Sequence, residues 1–356
     1  VMKNCWLTFI ILLVFMISSC VEPISINPEQ ASGVMVVDGA ITTEPGPYTV
    51  RISKSFSIGK FSNEKVTGAR VVISDNKGNE AILSEVDSGV YKTLKNEIQG
   101  TVDNKYTLTI TTAEGKVYHS LPEMLTATPA IDSIHYKLKE EINYIGNYAE
   151  NIRTYFQMYV DVKDPAGVEN YYRWESTRIM EFESDLPTYP PEIDPPPDPP
   201  ECCYLCYLYN YEQNNIALAS DLFADGQEMK NIPVTRVGNG FENIFSFRVR
   251  QYSLSARAYD FLNRLRDQQE NVGGVFDTPP GSIRGNVFNV NDQSEQVLGY
   301  FMASAVARKT IVVPRFRYAV SGRIKFDYVG DCREVDGAVA EVPEEFEDLD
   351  FEREGG

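Results

Sequence analysis

The sequence has little of the side-chain chemistry on which common hydrolases and metalloenzymes depend. Its 356 residues include only two histidines, His119 and His135, and each lies alone in a strand-like segment. The motifs of serine hydrolases, zinc proteases, phosphate-binding loops and dinucleotide-binding folds are all missing from the sequence. A carboxylate pair of the glycosidase kind remains open, because its spacing is set in space and not along the chain. The residues therefore predict no catalytic group, no cofactor and no metal.

Positive charge is also scarce. The chain has 33 lysines and arginines against 51 acidic residues, which gives a formal net charge of −18. Nucleic-acid binding needs clustered cations that neutralise phosphates, so this balance excludes a general nucleic-acid partner. Residues 181–201 and 333–356 are strongly acidic, and we expect both to be solvated and the second to be a disordered tail. A cation site or partner site is the alternative interpretation.

The apolar run near the N-terminus is too short to span a bilayer. It follows Lys3, covers residues 6–17 and would be about 18 Å long as a helix, against a hydrocarbon core of about 30 Å. A basic residue, a short apolar run and small residues after it are typical of a secretory signal peptide. We therefore predict that residues 1–19 are a signal peptide.

Cys20 comes directly after this segment, and no other cysteine follows until Cys202. With Ser18 and Ser19 before it, the site resembles a loosened form of the lipobox of bacterial lipoproteins. That resemblance implies cleavage before Cys20 and acylation of the cysteine, and several acyl chains hold a soluble domain stably on a membrane. An ordinary signal peptide with a chance cysteine is the alternative. Residues 20–33 contain two prolines and no strand or helix period, which is typical of a tether.

Residues 34–126 repeat short strand patterns with turn-forming residues between them. Tyr48, Val50 and Ile52, for example, alternate with polar residues just after the turn sequence EPGP. Strands of period two at regular spacing, separated by such turns, predict an all-β sandwich.

Residues 127–332 are predicted to form a second β-rich domain, entered through a hinge near Pro129. Its insertion 184–203 contains eight prolines between positions 187 and 203. Such a run favours polyproline II and cannot join a sheet, which indicates a stiff surface insertion. A recognition arm for a partner is the alternative.

One amphipathic helix is expected over about residues 254–271. Ser253 or Ser255 can cap its N-terminus, and a pair of glycines at 273–274 stops it. The apolar residues of one helix face are Leu254, Ala258, Phe261, Leu262 and Leu265.

Four cysteines lie beyond the N-terminal segment: Cys202, Cys203, Cys206 and Cys332. In an exported protein they predict disulfides, and four cysteines allow three pairings. A bridge between adjacent Cys202 and Cys203 would be strained, which favours a bridge from this cluster to Cys332. A zinc site and a thiol redox site are the rival interpretations of the single C-x-x-C spacing.

Four tyrosines follow the proline-rich insertion and are taken together as a candidate binding face: Tyr204, Tyr207, Tyr209 and Tyr211. The last three recur at period two, which places them on one face of a strand. This face either packs onto the core or forms a stacking surface for a peptide or sugar, since tyrosine offers a large contact area at a small entropy cost.

Three segments in combination resemble one protein family. They are VVDGAITTEPGPYTVRISKS, DVKDPAGVENYYRWE, and the stretch from Val249 to Ser304 that begins VRQYSLSARAYDFL. The family is a group of Bacteroidetes lipoproteins known as domain of unknown function 4249. The resemblance implies an N-terminal immunoglobulin-like or prealbumin-like β-sandwich, attachment to the outer membrane and association with TonB-dependent transporters. It implies no catalytic residue.

The third of these segments contains a loop rich in glycine and proline between residues 273 and 285. Such residues suit a backbone of fixed shape. Asp277 and Asn286 could hydrogen-bond the backbone of this loop. The loop is therefore interpreted as a structural corner, with a binding role as the alternative.

The sequence thus predicts a mainly β protein with one helix, anchored to the outer membrane by Cys20 and without catalytic activity. The expected function is that of an accessory or substrate-binding partner of a TonB-dependent transporter in nutrient uptake, with an unknown peptide or glycan as ligand. Glu22 and Glu29, acidic residues close after Cys20, resemble the export signal of surface lipoproteins in this phylum, and that resemblance implies a position at the cell surface. A surface hydrolase acting on glycans or peptides, and a structural or adhesion protein, are the alternatives.

Overall fold

The computed structural model describes residues 33–55, 64–145, 148–183, 205–211, 216–238, 244–270, 283–314, 333, 335–343 and 346. The predicted signal peptide, nearly all of the tether, the proline-rich insertion, Asp277 and every cysteine except Cys206 lie outside these residues. The described part is mainly β, as the sequence predicts, with one helix. No helix in it combines the length and hydrophobicity that a membrane span requires.

The strands and the helix are, in chain order, β1 (Met35–Thr42), β2 (Thr49–Lys54), β3 (Glu64–Lys65), β4 (Arg70–Asp75), β5 (Glu80–Asp87), β6 (Val90–Lys92), β7 (Lys105–Thr111), β8 (Val117–Ser120), β9 (Glu123–Met124), β10 (Ile131–Ile145), β11 (Tyr148–Lys163), β12 (Tyr171–Glu183), β13 (Leu205–Tyr211), β14 (Ala217–Ser220), β15 (Glu228–Gly238), β16 (Phe245–Leu254), α1 (Ala256–Glu270), β17 (Val287–Asn289), β18 (Val297–Ser304), β19 (Val306–Val313) and β20 (Ala338–Val339).

The first sheet has eleven strands, in the order β17-β8-β7-β4-β5-β6-β2-β1-β18, with β3 beside β2 and β9 beside β7. Its strands show the alternation expected from sequence. In β7, Tyr106, Leu108 and Ile110 are fully buried and the threonines between them are not. The buried residues of this sheet form one hydrophobic cluster, which also takes in Phe301 from β18.

β18 joins this sheet across a long separation in the chain. It pairs in parallel with β1 along the whole strand, from Met35 opposite Val297 to Thr42 opposite Ser304. β17 likewise pairs with β8. The structure therefore differs from a division of the chain at residue 126, because two strands from the C-terminal part complete the N-terminal sheet. Local patterns carry no information about such a distant pairing.

The remaining strands form a six-stranded sheet, β19-β16-β12-β13-β20 with β14 beside β12, and a three-stranded sheet, β10-β11-β15. Both sheets contribute to one core, in which Trp174 of β12 and Phe247 of β16 cluster with Phe156 and Met158 of β11. The predicted hinge near Pro129 is held by this core. Gln251 of β16 donates to the Pro129 carbonyl at 2.8 Å and accepts from the Trp174 indole at 2.9 Å.

Helix α1 begins two residues later than predicted and ends one residue earlier. Ser255 is its N-cap, because the Ser255 hydroxyl accepts from the Ala258 backbone N–H at 3.1 Å. Ala258, Phe261 and Leu262 are buried on the predicted apolar face, where Phe261 packs against Tyr300 of β18. The helix thus covers the junction between the first sheet and the six-stranded sheet.

Part of the acidic C-terminal segment is folded, which differs from the disorder predicted for 333–356. β20 pairs with β13, and Phe346 is only 1% exposed and packs against Tyr207. A single apolar residue in an acidic context gives little sequence signal, yet it contributes to a small hydrophobic cluster here.

Candidate functional site

An open cavity of about 730 Å³ lies between the three-stranded sheet, β14 and the C-terminal end of α1. This volume is within the usual range of small-molecule sites. The charged residues of its lining are Lys139, Arg236, Arg266 and Glu270. The polar residues are Gln157, Asn231 and Thr235. The apolar and aromatic residues are Tyr159, Ile216, Ala217, Leu218, Ile232 and Pro233.

One wall of the cavity is formed by alternate residues of β11. Phe156, Met158 and Val160 are buried in the core, so Gln157 and Tyr159 point to the opposite face, where the cavity lies. The pairing of β11 with β15 shifts register between Met158 and Tyr159. Such irregularities redirect side chains and are common beside functional sites.

Two buried polar side chains of the lining have hydrogen-bonding capacity left over. Gln157 is 7% exposed and Thr235 is 4% exposed. The Gln157 amide nitrogen donates to the carbonyls of Thr235 and Met158, at 3.0 and 3.3 Å. Among the described residues, nothing donates to the Gln157 side-chain oxygen and nothing bonds the Thr235 hydroxyl. Neither atom is among the water-excluded atoms that have no partner in the described residues, so solvent reaches both from the open cavity, and both can bond water or a ligand there.

The charges around the cavity are opposite in sign to the charge of the chain. Three cations, Lys139, Arg236 and Arg266, face one anion, Glu270, in a protein with a formal net charge of −18. Arg236 is also 3.7 Å from Glu141, and both of these side chains are more than half exposed. Clustered like charges in a cleft concentrate the field there and attract counter-charged ligands.

Tyr159 forms one aromatic wall of the cavity and lies among cations. The Lys137 and Lys139 ammonium groups are 5.3 and 5.8 Å from its ring centre, and His135 stacks on it at 5.4 Å. Lys137 also donates to the Asn231 side-chain oxygen at 3.0 Å. Cations over the face of an aromatic ring are electrostatically favourable, so this wall is held in place and adds to the positive potential.

His135, Asp161 and Ser133 come together beside this wall, a grouping that their isolation in sequence does not reveal. Ser133 donates to Asp161 at 2.7 Å, and the His135 Nδ1 atom is 3.5 Å from the same carboxylate. The other ring nitrogen of His135 contacts Asn231. A hydrolase triad needs the serine to donate to the histidine, and here it donates to the carboxylate. These residues therefore do not form a nucleophile and base.

Burial raises the pKa of Asp161, but hydrogen bonds from the Asn231 N–H and the Ser133 hydroxyl, together with nearby His135, hold it below its usual value. Asp161 thus stays ionised at neutral pH. The Asn231 backbone has a φ of 55°, and its N–H donates to Asp161 at 2.7 Å. The carboxylate therefore fixes the position of Asn231 at the cavity edge.

A second group of polar residues could hold a cation. Asp164, Asp221 and Asp225 bring carboxylate oxygens within 4.8 Å of one another, and such oxygens are ligands that calcium prefers. Each carboxylate already accepts hydrogen bonds. Gly226 N–H donates to Asp164 at 3.1 Å, and Gly167 N–H donates to Asp225 at 2.6 Å. The cluster therefore connects two loops, which fits a role of these carboxylates in stabilising the turn of the DVKDPAG segment.

The buried carboxylate of Glu123 connects β9 with α1 and β18. It is 1% exposed and accepts from the hydroxyls of Ser255, at 2.6 Å, and Tyr300, at 2.8 Å. Arg257 lies 3.4 Å away, and the Asn286 amide 3.3 Å away. We refer to Glu123 and these four residues as the Glu123 clamp.

Asn286 extends the clamp along β18. Its side-chain nitrogen donates to the Phe301 carbonyl at 2.8 Å, and its side-chain oxygen accepts from the Phe301 N–H at 2.9 Å. The amide therefore imitates a strand partner of β18. Asn286 was predicted to bond its own loop, but it bonds a different strand.

Two tyrosines are bonded to buried carboxylates, and we therefore predict that the folded state loses stability at alkaline pH. Burial raises the pKa of Tyr172 and Tyr300 well above the usual value near 10, and hydrogen bonds to Asp164 and Glu123 raise it further. The folded state therefore keeps protons that the unfolded state releases above about pH 10. Their contribution is complete below that pH, and each retained proton costs about 1.4 kcal/mol per pH unit above it.

Urea unfolding at about pH 8 and about pH 11 measures this effect. The Tyr172→Phe variant should show a smaller decrease between the two values than the unchanged chain. Equal decreases in both proteins would contradict a role of Tyr172.

A family model described as "Domain of unknown function (DUF4249)" matches residues 21–310. The chain belongs to the DUF4249 family. The matched range includes the cavity and the Glu123 clamp, so both lie in the part of the chain that defines membership. No curated protein matches the chain.

Of the predicted site residues of this DUF4249 chain, the three whose side chains the structure describes, Cys206, Tyr207 and Tyr209, do not line the cavity. Tyr207 is fully buried against Phe346, which leaves it no surface for a ligand, and Tyr209 is partly buried in the same cluster. Tyr204 and the side chain of Tyr211 lie outside the described residues. Cys206 is buried and disulfide-bonded. Cys20, Cys202, Cys203 and Cys332 lie outside the described residues.

Sequence reasoning did not find the cavity of this DUF4249 chain. Lys139, Gln157, Asn231 and Arg266 come from four elements, β10, β11, β15 and α1, and no catalytic or binding motif contains any of them. The one local signal is in β11, where polar Gln157 stands between strongly apolar neighbours.

Proposed function

We propose that this protein is a lipid-anchored, non-catalytic binding protein of the outer membrane that serves as an accessory of a TonB-dependent transporter in nutrient uptake. The observation that carries the binding role is the cavity, in which buried Gln157 and Thr235 have atoms without partners in the described part of the chain. The location and the transporter follow from the resemblance at Cys20 and from the family that the chain resembles.

The N-terminal sheet supports a finer proposal about the fold. Its antiparallel neighbours and its alternating buried residues fit an immunoglobulin-like or prealbumin-like sandwich for residues 34–126, completed by β17 and β18. The loops at the ends of such sandwiches can present binding surfaces, which agrees with the proposed role.

Co-purification tests the transporter partnership. The full-length, affinity-tagged protein is isolated from detergent-solubilised membranes, and its partners are identified by mass spectrometry. A TonB-dependent transporter recovered in near-stoichiometric amount is the expected result. Membranes that express an unrelated tagged lipoprotein provide the control. Repeated recovery of the protein without a transporter would contradict the proposed partnership.

Cys20→Ala tests the anchor. Without the acylated cysteine, the chain should leave the membrane fraction or accumulate as an uncleaved precursor, because no acyl chain would remain to hold it. Cys5→Ala, within the predicted signal peptide, is the matched control and should stay with the outer membrane. Fractionation and the mass of the mature chain measure both variants. If Cys20→Ala fractionates unchanged, the lipoprotein proposal fails.

A further inference from the structure

The chemistry of the cavity restricts what it can bind. Its cations favour a ligand with negative charge, since Lys139, Arg236 and Arg266 outnumber Glu270. The Gln157 side-chain oxygen can only accept hydrogen bonds, so a ligand that bonds it directly carries a donor. A simple inorganic anion such as sulfate meets the first requirement and not the second.

We infer that the cavity binds a sugar acid, a ring that carries a carboxylate together with hydroxyl groups. This inference rests on the proposed function and specifies its ligand. The carboxylate is bound by Arg266 and Lys139, because guanidinium and ammonium groups form the strong, charge-assisted bonds to carboxylates. Gln157 and Thr235 bind hydroxyl groups of the ring. The apolar face of the sugar lies against Leu218 of the lining.

The position of the cavity favours a sugar over an acidic peptide. Extended peptides bind by adding a strand to a sheet edge, where backbone groups are unpaired. This cavity opens on the face of β11, which is the central strand of its sheet and is paired on both sides. The face of a sheet offers side chains and not free backbone groups. Amide and hydroxyl side chains suit the scattered hydroxyls of a sugar.

Calorimetry with the full-length protein in detergent tests the inference with three probes: a galacturonic acid trisaccharide, the neutral galactose trisaccharide and a triglutamate peptide. Only the galacturonic acid trisaccharide should bind saturably. Its affinity should decrease as the salt concentration rises above about 0.1 M, where the screening length is about 10 Å.

Arg266→Gln keeps much of the length and polarity of the side chain but removes its charge, and it should weaken this binding about tenfold or more. Arg264→Gln is the matched control. Arg264 lies on the same helix but is 65% exposed, pairs with Asp260 at 3.0 Å and does not line the cavity. Gln157→Leu should also weaken the binding. Thermal unfolding checks that each variant is folded.

The possible results separate the inference from the proposed function. Equal binding of triglutamate and the galacturonic acid trisaccharide would overturn the sugar assignment in favour of an acidic peptide. Equal binding of the neutral trisaccharide would overturn the role of the cations. If no probe binds while a transporter still co-purifies, the ligand class is wrong and the accessory role stands. If the trisaccharide binds and no transporter co-purifies, the ligand class is right and the accessory role is wrong.

Discussion

Gly285→Ala is expected to lower the free energy of unfolding by more than about 3 kcal/mol. A Cβ atom built on Gly285 would overlap the carbonyl oxygen of Gly299 in β18. The position of this Cβ atom is fixed by the Gly285 backbone, and the oxygen that it meets belongs to the Gly299 backbone. No change of side-chain rotamer can therefore relieve the overlap. Arg284 forms an isolated β-bridge with Leu298 next to this contact, and the Asn286 side chain bonds the backbone of Phe301. Moving Gly285 therefore displaces β18 from the sheet edge.

Urea unfolding followed by circular dichroism measures the loss. Gly238→Ala is the matched control, because a Cβ atom there meets nothing within 4 Å and the glycine has no positive φ. That variant should change stability by less than about 1 kcal/mol. If the two variants unfolded at the same urea concentration, the close approach at Gly285 would not matter to the fold.

Glu123→Ala is expected to cost about 3–5 kcal/mol, since it removes a buried carboxylate and takes an acceptor away from two buried donors, the Tyr300 hydroxyl and the Asn286 amide. The Tyr300 hydroxyl would lose its bond at 2.8 Å, and Arg257, which is about half exposed, would keep the Pro122 carbonyl at 2.7 Å as its close partner among the described residues. Glu123→Gln keeps an acceptor oxygen for one hydroxyl and should cost less.

Glu80→Ala provides the comparison for this measurement. Glu80 is an exposed glutamate of β5 in the same sheet, and its replacement should leave stability within about 0.5 kcal/mol of the unchanged chain. The order of stability is therefore expected to be the unchanged chain and Glu80→Ala together, then Glu123→Gln, then Glu123→Ala. A Glu123→Ala variant as stable as Glu80→Ala would show that the clamp contributes nothing.

Local patterns predict the elements of this fold but not their partners. Residues that are close in sequence determine the alternation in β7. They also determine the cap and the apolar face of α1, so both elements are predicted well. Tyr106 and Tyr207 show where such reasoning ends. Both lie in alternating strands, and only the structure tells that Tyr207 is covered by Phe346, which lies far along the chain in an acidic segment.

The candidate site was even harder to predict from the sequence than the partners of the strands. An anionic sugar site requires cations that converge in space, and Arg266 reaches the cavity only because α1 packs beside β14. On a helix with alternating charges, Arg264 and Arg266 look equivalent in sequence. Packing alone makes one of them a cavity residue and leaves the other in solvent.

The parallel pairing of β1 with β18 has a mechanical consequence. The proposed tether enters β1 at its N-terminal end, and the chain leaves β18 at its C-terminal end to reach β19. A pull between the membrane and the rest of the protein would therefore act along both strands in opposite directions. The ladder would bear that load in shear, with its hydrogen bonds sharing the force instead of breaking one after another. Under the proposed anchoring at Cys20, this arrangement would help the folded part to resist extraction by force.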